Sequence, residues 1–232
     1  MISIIIPTLN EEKYLPKLLN CIKKQAYKDY EIIVADANSA DKTRQTAKKY
    51  GCKITKGGMP AAGRNNGAKI AKGNILLFLD ADVQLDKNFL ENAINELKNR
   101  NLDVAGCCIY PLGNNLIDKI FFGVFNSWIF AIQLFYPNAS GGGIFCKSKI
   151  HKKATGFDES IKLSEDMDYV KRCSKFGKFR ILKNAIAYVS VRRFEKEGRF
   201  KVGIKLLLSA FYRIFFGEIK SDIFKYNLRY RK

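Results

Sequence analysis

The sequence has few of the residues that build metal centres and disulfide frameworks. It contains one histidine, His151, and no two of its six cysteines have C-x-x-C spacing. These absences argue against a Cys/His zinc site, and a chain of 232 residues is long enough to fold without a disulfide scaffold. We therefore expect free thiols in a reducing cytosol.

Targeting and membrane-spanning signals are missing as well. The N-terminus, MISIIIPTLNEE, has neither a basic region nor a small-residue cleavage site, and its short apolar run is typical of a buried strand. Residues 120–136 are uncharged over 17 positions, slightly fewer than a spanning helix needs, and 201–216 include three basic side chains. Neither segment is assigned as a transmembrane helix. Whether 120–136 inserts in a bilayer or packs in the core, and whether either segment contacts a membrane surface, stays open.

Acidic residues are scarce relative to basic ones. The chain has 22 Asp and Glu against 41 Lys and Arg, a net charge of +19. On a folded protein such an excess favours an anionic partner, which leaves nucleic acid, an acidic membrane face and phosphorylated ligands as candidates. The hydrophobic fraction of 47% and the 17 phenylalanines exclude a disordered chain, and the length suits one large or two small domains.

The first 110 residues alternate between apolar runs and amphipathic stretches. This alternation predicts a doubly wound, mostly parallel α/β sheet flanked by helices, with ligands bound beyond the carboxyl ends of the strands. The predicted strands cover residues 2–6, 31–35, 52–55, 75–79 and 104–110, and the predicted helices cover about 11–25, 39–50, 60–71 and 88–98.

Polar residues follow three of these strands, so their clusters are expected to meet at one edge of the sheet. The pair Asp80 and Asp82 suits a divalent cation shared with a diphosphate, although an Asx-turn with a helix cap uses the same residue types. Asp36 has the position of a contact with a sugar hydroxyl or a base. A P-loop is excluded because Arg64 and Asn65 stand where that motif has Lys and Ser or Thr, yet Arg64 could still meet a phosphate.

The second half of the chain is less regular. Gly142 and Gly143 directly precede a predicted strand at 144–146, and Glu165 and Asp166 open a predicted helix that ends near residue 176. Acidic residues are common in the first turn of a helix because of its dipole, so this pair does not identify a site by itself. The single histidine is expected at the surface.

Taken in order, these stretches resemble the inverting glycosyltransferases of family 2, which have the GT-A fold. The resemblance extends from residue 1 to about 180 and is most specific around Asp80 and Asp82. The matching stretches are IIIPTLNE at 4–11, IIVADANSADKT at 32–43, AGRNNGA at 62–68, ILLFLDAD at 75–82, GGIF at 142–145, GFDE at 156–159 and the pair Glu165-Asp166.

The resemblance implies a nucleoside-diphosphate-sugar donor (a UDP- or GDP-sugar), Mn²⁺ or Mg²⁺ as cofactor, and a carboxylate base. Asp166 would be the base, and Glu165 would position the acceptor near Gly142 and Gly143. The metal would be held by Asp82 and Asp80. Donor contacts would come from Pro7, Thr8, Asn10, Glu11, Asp36, Arg64, Asp80, Arg192 and Arg193.

The implied reaction is a single displacement that inverts the anomeric carbon. The acidic pair favours a hydroxyl acceptor on a lipid-linked or glycan substrate, because a carboxylate can take the hydroxyl proton. A polyprenyl phosphate acceptor, as in dolichol-phosphate sugar synthases, would need no base and is the alternative. The Gln-x-x-Arg-Trp motif of processive synthases is absent, which favours single transfer.

The chain is predicted to divide into a GT-A domain at 1–190 and a basic amphipathic segment at 191–232. Within the domain, nucleotide-sugar binding falls at about 1–110 and the acceptor and catalytic half at about 111–190. From residue 192 onward there are twelve Lys or Arg against four Asp or Glu, and the apolar positions of 201–216 recur at helical spacing. Such helices suit an anionic membrane interface, although a helix packed on the core can have the same pattern.

These features predict an enzyme that is peripheral on the cytoplasmic face of the cell membrane and acts in cell-envelope glycan synthesis. A catalytically silent membrane-bound homologue is a further alternative. A nucleic-acid-binding protein is less favoured, because the sequence has no recognition-helix, RNP-like or zinc pattern.

Overall fold

The chain folds around an eight-stranded sheet with helices on both faces. A computed structural model describes residues 1–221, 223 and 224; residues 222 and 225–232, the end of the predicted C-terminal segment, lie outside the described residues. The strands are β1 (Ile2–Thr8), β2 (Tyr30–Asp36), β3 (Lys53–Lys56), β4 (Ile75–Phe78), β5 (Val83–Leu85), β6 (Val104–Leu112), β7 (Ile144–Lys147) and β8 (Phe179–Ser190). The helices are α1 (Leu15–Lys23), α2 (Thr43–Lys49), α3 (Pro60–Ile70), α4 (Phe89–Asn99), α5 (Leu116–Ile132), α6 (Ser148–Lys153), α7 (Glu165–Cys173), α8 (Arg192–Glu197) and α9 (Arg199–Phe216).

The strand order β3-β2-β1-β4-β7-β6-β8-β5 places most carboxyl ends at one edge of the sheet. β7 is antiparallel to β4 and β6, and β5 is antiparallel to β8, while the other pairs are parallel. The predicted mostly parallel α/β sheet is therefore confirmed. Because β7 runs backwards, the glycine triplet before it lies at the same edge, and the chain leaving β8 reaches that edge as well.

The apolar run of β1 explains why this strand is central. Ile2, Ile4 and Ile6 pack into one hydrophobic core, and Ile5 packs into a second core on the opposite face. A strand buried on both faces needs such a continuous β-branched run, because successive side chains point to opposite sides. Helices α1 and α4 cover the first core, and α6 and α7 cover the second.

Two strands and one helix start were not predicted. β5 has only three residues and pairs antiparallel with the end of β8, which also pairs in parallel with β6. The predicted helix at 11–25 begins only at Leu15, where Pro16 occupies the first turn. Glu11 stays outside this helix, and its amide donates to the Thr43 hydroxyl over 2.7 Å.

Helix α9 packs on the protein through its polar side. Ser209 and Arg213 are 3% and 7% exposed, whereas Leu207, Phe211 and Phe215 are 63%, 54% and 72% exposed. The alternative of a helix whose apolar face packs on the core is therefore wrong. Over the part of the chain that the structure describes, no helix is both long and apolar enough to cross a membrane.

Candidate active site

The ends of β1 and β2 form the first part of the site. Thr8 and Asp36 are partners in the parallel register, and the Thr8 hydroxyl donates to Asp36 Oδ1 over 3.1 Å. Ser39 donates to the same carboxylate through its hydroxyl (2.6 Å to Oδ1) and its amide (3.1 Å to Oδ2). The predicted donor residues Thr8 and Asp36 are thus joined and buried at the expected edge.

Asn10 holds the loops after β1 and β2 against each other. Its φ of 55° lies in the left-handed region, which Asn tolerates better than most residues. Its Oδ1 accepts from the amide of Ala40 (2.8 Å), and its own amide donates to the Ser39 hydroxyl (2.9 Å). Pro7 is buried and pairs with Ala35 in the sheet, so it anchors the start of the loop after β1.

An arginine from the far end of the chain completes this side of the site. Arg192, the first residue of α8, donates two hydrogen bonds to the Glu11 carboxylate (3.0 and 2.9 Å) and lies 3.0 Å from Asp82 Oδ2. Its Cζ is 4.4 Å from the ring centre of Tyr14. The guanidinium compensates the charge of Glu11, whose side chain is 1% exposed.

Both α8 arginines were predicted as donor contacts, but the pairing of Arg192 with Glu11 was not predicted. Glu11 and Arg192 are 181 residues apart, and no local pattern pairs them. Arg193 donates to Glu197, one turn further along α8 (3.0 Å). Only the strand order of the second half brings the start of α8 to the loop after β1.

Arg64, on α3, joins the donor half of the site to the acceptor half. Its Nη2 donates to Asp80 Oδ1 (2.8 Å), and its Nη1 donates to Glu165 Oε1 (2.5 Å). Its Cζ is 5.3 Å from the ring centre of Phe157, and its side chain is 3% exposed. Two carboxylates therefore hold the guanidinium in the interior, and its direct contact with the donor stays a prediction.

The peptide unit of Gly141 connects Asp80 and Asp166 through two hydrogen bonds. Its amide donates to Asp166 Oδ2 (2.7 Å), and its carbonyl accepts from the Asp80 amide (3.2 Å). A Cβ on Gly141 would lie 2.6 Å from Arg64 Nη2 and 2.8 Å from Asp80 Oδ2, so a larger residue would displace the side chains of this ion pair. The glycine triplet 141–143 indicated a close approach, but only Gly142 and Gly143 were predicted as site residues, because the partners of Gly141 are brought to it by the fold.

The two glycines that were singled out have packing contacts. A Cβ on Gly142 would lie 2.8 Å from Ile109 Cγ2, and one on Gly143 would lie 2.9 Å from Cys107 Sγ. Both residues therefore let the chain enter β7 against β6 without a steric clash. Their contact with an acceptor stays a prediction.

The carboxyl group of Asp166 has a raised pKa. Burial, together with the neighbouring Glu165 carboxylate, raises the pKa of Asp166 to about 6 from an ordinary value of 3.8. Arg64 and the Gly141 amide oppose this rise. A carboxyl group with a pKa near neutrality is suited to proton transfer at physiological pH.

The prediction that His151 is a surface residue is wrong. Its Nδ1 lies 2.9 Å from the Tyr169 hydroxyl, and its ring packs against Phe78 and Phe157. Burial, followed by the positive charge of Arg172, lowers the pKa of His151 to about 4. The residue is a neutral part of the second core, in which β4, α6 and α7 meet.

Asp80 and Asp82 could hold a divalent cation only if a bound ligand supplied further oxygen atoms. Mg²⁺ and Mn²⁺ use hard oxygen ligands, commonly one or two carboxylates completed by substrate phosphates. Asp82 already faces the cationic Arg192, so a positive charge is compatible with this position, and Asp80 shares its carboxylate with Arg64. Within residues 1–221, 223 and 224, no group of three or more His, Cys, Asp or Glu side chains could hold a metal.

Comparison with known proteins identifies relatives by sequence. The family model described as Glycosyl transferase family 2 matches residues 3–120. Over 112 residues the chain is 36% identical to the poly(ribitol-phosphate) beta-N-acetylglucosaminyltransferase TarS of Staphylococcus aureus (44% of this chain, 20% of TarS). It is 32% identical over 124 residues to the GalNAc(5)-diNAcBac-PP-undecaprenol beta-1,3-glucosyltransferase of Campylobacter jejuni (50% of this chain, 40% of that protein). The chain thus spans less than half the length of both relatives.

Solved structures share the fold. The crystal structure of S. aureus TarS 1–349 in complex with UDP-GlcNAc superposes with a TM-score of 0.68 and 25% identity, over 82% of this chain and 58% of that one. Mannosyltransferase PcManGT from Pyrobaculum calidifontis, in complex with GDP-Man and Mn²⁺, has a TM-score of 0.75 over 92% of this chain and 63% of its own, at 19% identity. At that identity the second likeness bears on the fold alone.

Proposed function

Since this chain belongs to glycosyltransferase family 2, we propose that it transfers one sugar, with inversion, from a nucleoside-diphosphate sugar to a hydroxyl of a lipid-linked or glycan acceptor. The observation that carries the proposal is the Gly141 peptide, which ties the donor-side Asp80 to the carboxyl group of Asp166. A donor-binding edge and a group suited to proton transfer therefore lie side by side. That arrangement is what a single displacement requires.

In the proposed reaction, Asp166 takes the proton of the acceptor hydroxyl. The hydroxyl oxygen forms a bond to the anomeric carbon while the bond from that carbon to the diphosphate oxygen breaks. The nucleoside diphosphate leaves with the bonding electrons, and the configuration inverts. Arg192, beside Asp82, supplies positive charge on the side where the diphosphate gains negative charge.

A divalent cation fits this scheme. Mn²⁺ or Mg²⁺ held by Asp82 and Asp80 would neutralise charge on the departing diphosphate. Thr8, Asn10, Glu11 and Asp36 would bind or support the nucleoside, because their loops form the wall of the same edge. The similar TarS structure is a complex with UDP-GlcNAc, which supports a nucleotide-sugar donor.

Two features favour a hydroxyl acceptor over a polyprenyl phosphate. Asp166 has the raised pKa of a base, and an ionised phosphate acceptor would need none. The Campylobacter relative is named for a glycan carried on undecaprenol diphosphate. Transfer to a polyprenyl phosphate is therefore the second candidate.

The exposed apolar surface supports attachment to a membrane. Helices α5 and α9 are joined by Arg199, which donates twice to Asp118 (2.8 and 2.9 Å), and a Cβ on Gly203 would lie 3.4 Å from Phe121. Large apolar side chains on and just beyond both helices are at least 60% exposed: Leu116, Val124, Leu134, Phe135, Phe200, Ile204, Leu207, Phe215 and Phe216. With the basic excess of the chain, this surface suits the anionic cytoplasmic face of a membrane.

The test of the enzymatic proposal is a donor screen. We expect one of UDP-, GDP-, CDP- or dTDP-sugars to raise the Tm in the presence of Mn²⁺, and the same donor to release its nucleoside diphosphate slowly to water. The Asp166→Asn variant should keep the Tm shift and lose the release. No shift and no release with any donor would contradict the proposed function.

A further inference from the structure

We infer that Arg64 is a positioning residue that sets the spacing between Asp80 on the donor side and the Glu165-Asp166 pair on the acceptor side. This inference rests on the proposed function for its kinetic consequence. It assigns Arg64 a task different from binding the donor directly. Three features of its guanidinium support this role: its hydrogen-bond partners, its burial and the residues that surround it.

The guanidinium belongs to a closed ring of contacts. Arg64 bonds to Asp80 and to Glu165, the next residue, Asp166, accepts from the Gly141 amide, and the Gly141 carbonyl accepts from the Asp80 amide. The ring thus passes through the end of β4, helix α3, the start of α7 and the loop before β7. A change at Arg64 would therefore alter the position of both acidic groups relative to each other.

Burial makes this ring rigid. The Arg64 side chain is 3% exposed and lies over Phe157, whose ring stacks on Tyr169 with 3.8 Å between centres. The neighbouring Asn65 fixes α3 to the turn that contains Phe157. Its side-chain Nδ2 donates to the Phe157 carbonyl (2.9 Å), and its Oδ1 accepts from the Phe157 backbone amide (2.8 Å). Helix α3 is therefore bound to the acceptor half at two successive residues.

The fork of the guanidinium is needed for the bridge. Its two terminal nitrogens reach different carboxylates at the same time, which a single ammonium group cannot do with the same geometry. Lysine would keep the charge and hold one carboxylate, whereas methionine would leave Asp80, Glu165 and Asp166 as neighbouring acids without their shared cation. The two substitutions therefore separate the role of charge from the role of geometry.

The experiment compares Arg64→Lys and Arg64→Met with wild type. We expect kcat for nucleoside-diphosphate release to fall about 100-fold or more in Arg64→Met and less in Arg64→Lys, since small displacements of reacting groups have effects of this size. The Kd of the nucleoside diphosphate that wild type binds, measured by calorimetry with UDP and GDP, should change less than about threefold in Arg64→Lys. A rise in this Kd in step with the loss of kcat would overturn the inference, because it would make Arg64 a donor contact.

The matched control is Arg172→Met. Arg172 lies on α7, pairs with Asp168 (2.7 Å) and donates to the carbonyl of Gly156 (2.7 Å), so it also stabilises the acceptor half through an arginine. Its removal should lower the Tm with little loss of kcat at a temperature well below the Tm. If Arg64→Met loses no more kcat than Arg172→Met at an equal drop in Tm, Arg64 has only a structural role and the inference is wrong.

A stability cycle tests the bridge without any turnover. Glu165→Gln should lower the Tm of wild type but raise the Tm of Arg64→Met, because it removes one of the acids that this variant leaves unshielded. Equal effects of Glu165→Gln in both backgrounds would contradict the bridge. If this reversal is found in a protein that turns over no donor, the proposed function fails while the assignment of Arg64 as the bridge is retained.

Discussion

At the scale of single residues, Asp166 predicts a pH dependence of turnover. Its pKa is raised to about 6, and only the deprotonated carboxylate accepts the proton of the acceptor. The active form is therefore lost as the pH falls through 6 and is complete above about pH 7. At pH 5 we expect kcat to be about tenfold below its plateau, measured at saturating donor over about pH 5 to 8.

The position of the acid limb tests whether Asp166 is the base. Asp166→Asn should abolish turnover over the whole pH range, since the amide cannot accept the proton. A limb near pH 4 in wild type would show that a carboxylate with an ordinary pKa is the base.

Arg192 predicts a large effect on stability. Its guanidinium donates two hydrogen bonds to the buried Glu11, so Arg192→Gln would remove a positive charge that compensates that carboxylate. Breaking a buried ion pair on one side costs about 3–5 kcal/mol in the free energy of unfolding, which urea titration measures. Arg193→Gln on the same helix removes an i,i+4 pair with Glu197 and should cost less than about 1 kcal/mol. Equal losses in the two variants would contradict the special role of Arg192.

At the scale of elements, the contact of α3 with β1 depends on glycine. A Cβ at Gly67 would lie 2.4 Å from Ile5 Cγ2, so Gly67→Ala should force α3 away from the sheet and cost about 1–3 kcal/mol in the free energy of unfolding. Gly123, in α5, has nothing within 4 Å of its would-be Cβ. Gly123→Ala should therefore stabilise by up to about 1 kcal/mol, because alanine is the better helix former.

Thermal or urea unfolding of the two alanine variants checks this pair of predictions. We expect Gly67→Ala to lower the free energy of unfolding and Gly123→Ala to raise it. Destabilisation by Gly123→Ala as large as that by Gly67→Ala would mean that the helix backbone, not the contact with β1, determines the effect.

The elements that could be predicted from sequence are those defined by local patterns. β1, β2 and β4 have continuous apolar runs ending in polar residues, and α3 starts at Pro60, so their existence and order are local properties. β5 could not be predicted, because three residues carry too little periodicity and the strand exists through its pairing with β8. The burial of Arg64 could not be predicted either, since Glu165 reaches it from 101 residues away.

At the scale of the whole molecule, the apolar surface of α5 and α9 predicts binding to anionic vesicles. Leu207 and Phe211 are 63% and 54% exposed on α9, so replacing both with serine should weaken binding to phosphatidylglycerol vesicles by about 10- to 100-fold. High salt should weaken the binding of wild type, because the basic charge contributes through a screened interaction. Vesicle sedimentation measures both effects.

The control for this surface is Phe176→Ser. Phe176 is 48% exposed but follows α7, outside the two helices, so its replacement should leave vesicle binding unchanged. If wild type binds no vesicles but forms a dimer that the Leu207→Ser/Phe211→Ser variant loses, a second copy of the chain covers the surface instead.

The sequence by itself determined the mostly parallel sheet and the edge at which Asp36, Asp80 and Asp82 gather, because hydrophobic periodicity and strand-end polarity act locally. The family followed from the resemblance of the ordered stretches to family 2 glycosyltransferases. Tertiary structure decided which partners the charged residues have. Arg192 binds Glu11 and Arg64 binds Glu165 only because distant elements are packed together.

The helix predicted at 201–216, which is α9 in the structure, also has one property set by its sequence and another set by tertiary contacts. Its spacing predicted an apolar side and a polar side, but not which of them meets the protein. Arg213 donates to Met167 Sδ on α7 (2.8 Å) and to Glu218 just beyond its own helix (2.7 Å), and Lys205 lies 3.9 Å from Glu197 on α8. Ion pairs made by the packed chain therefore turn the polar side inward and leave the apolar side exposed, an outcome that depends on contacts between elements and not on periodicity.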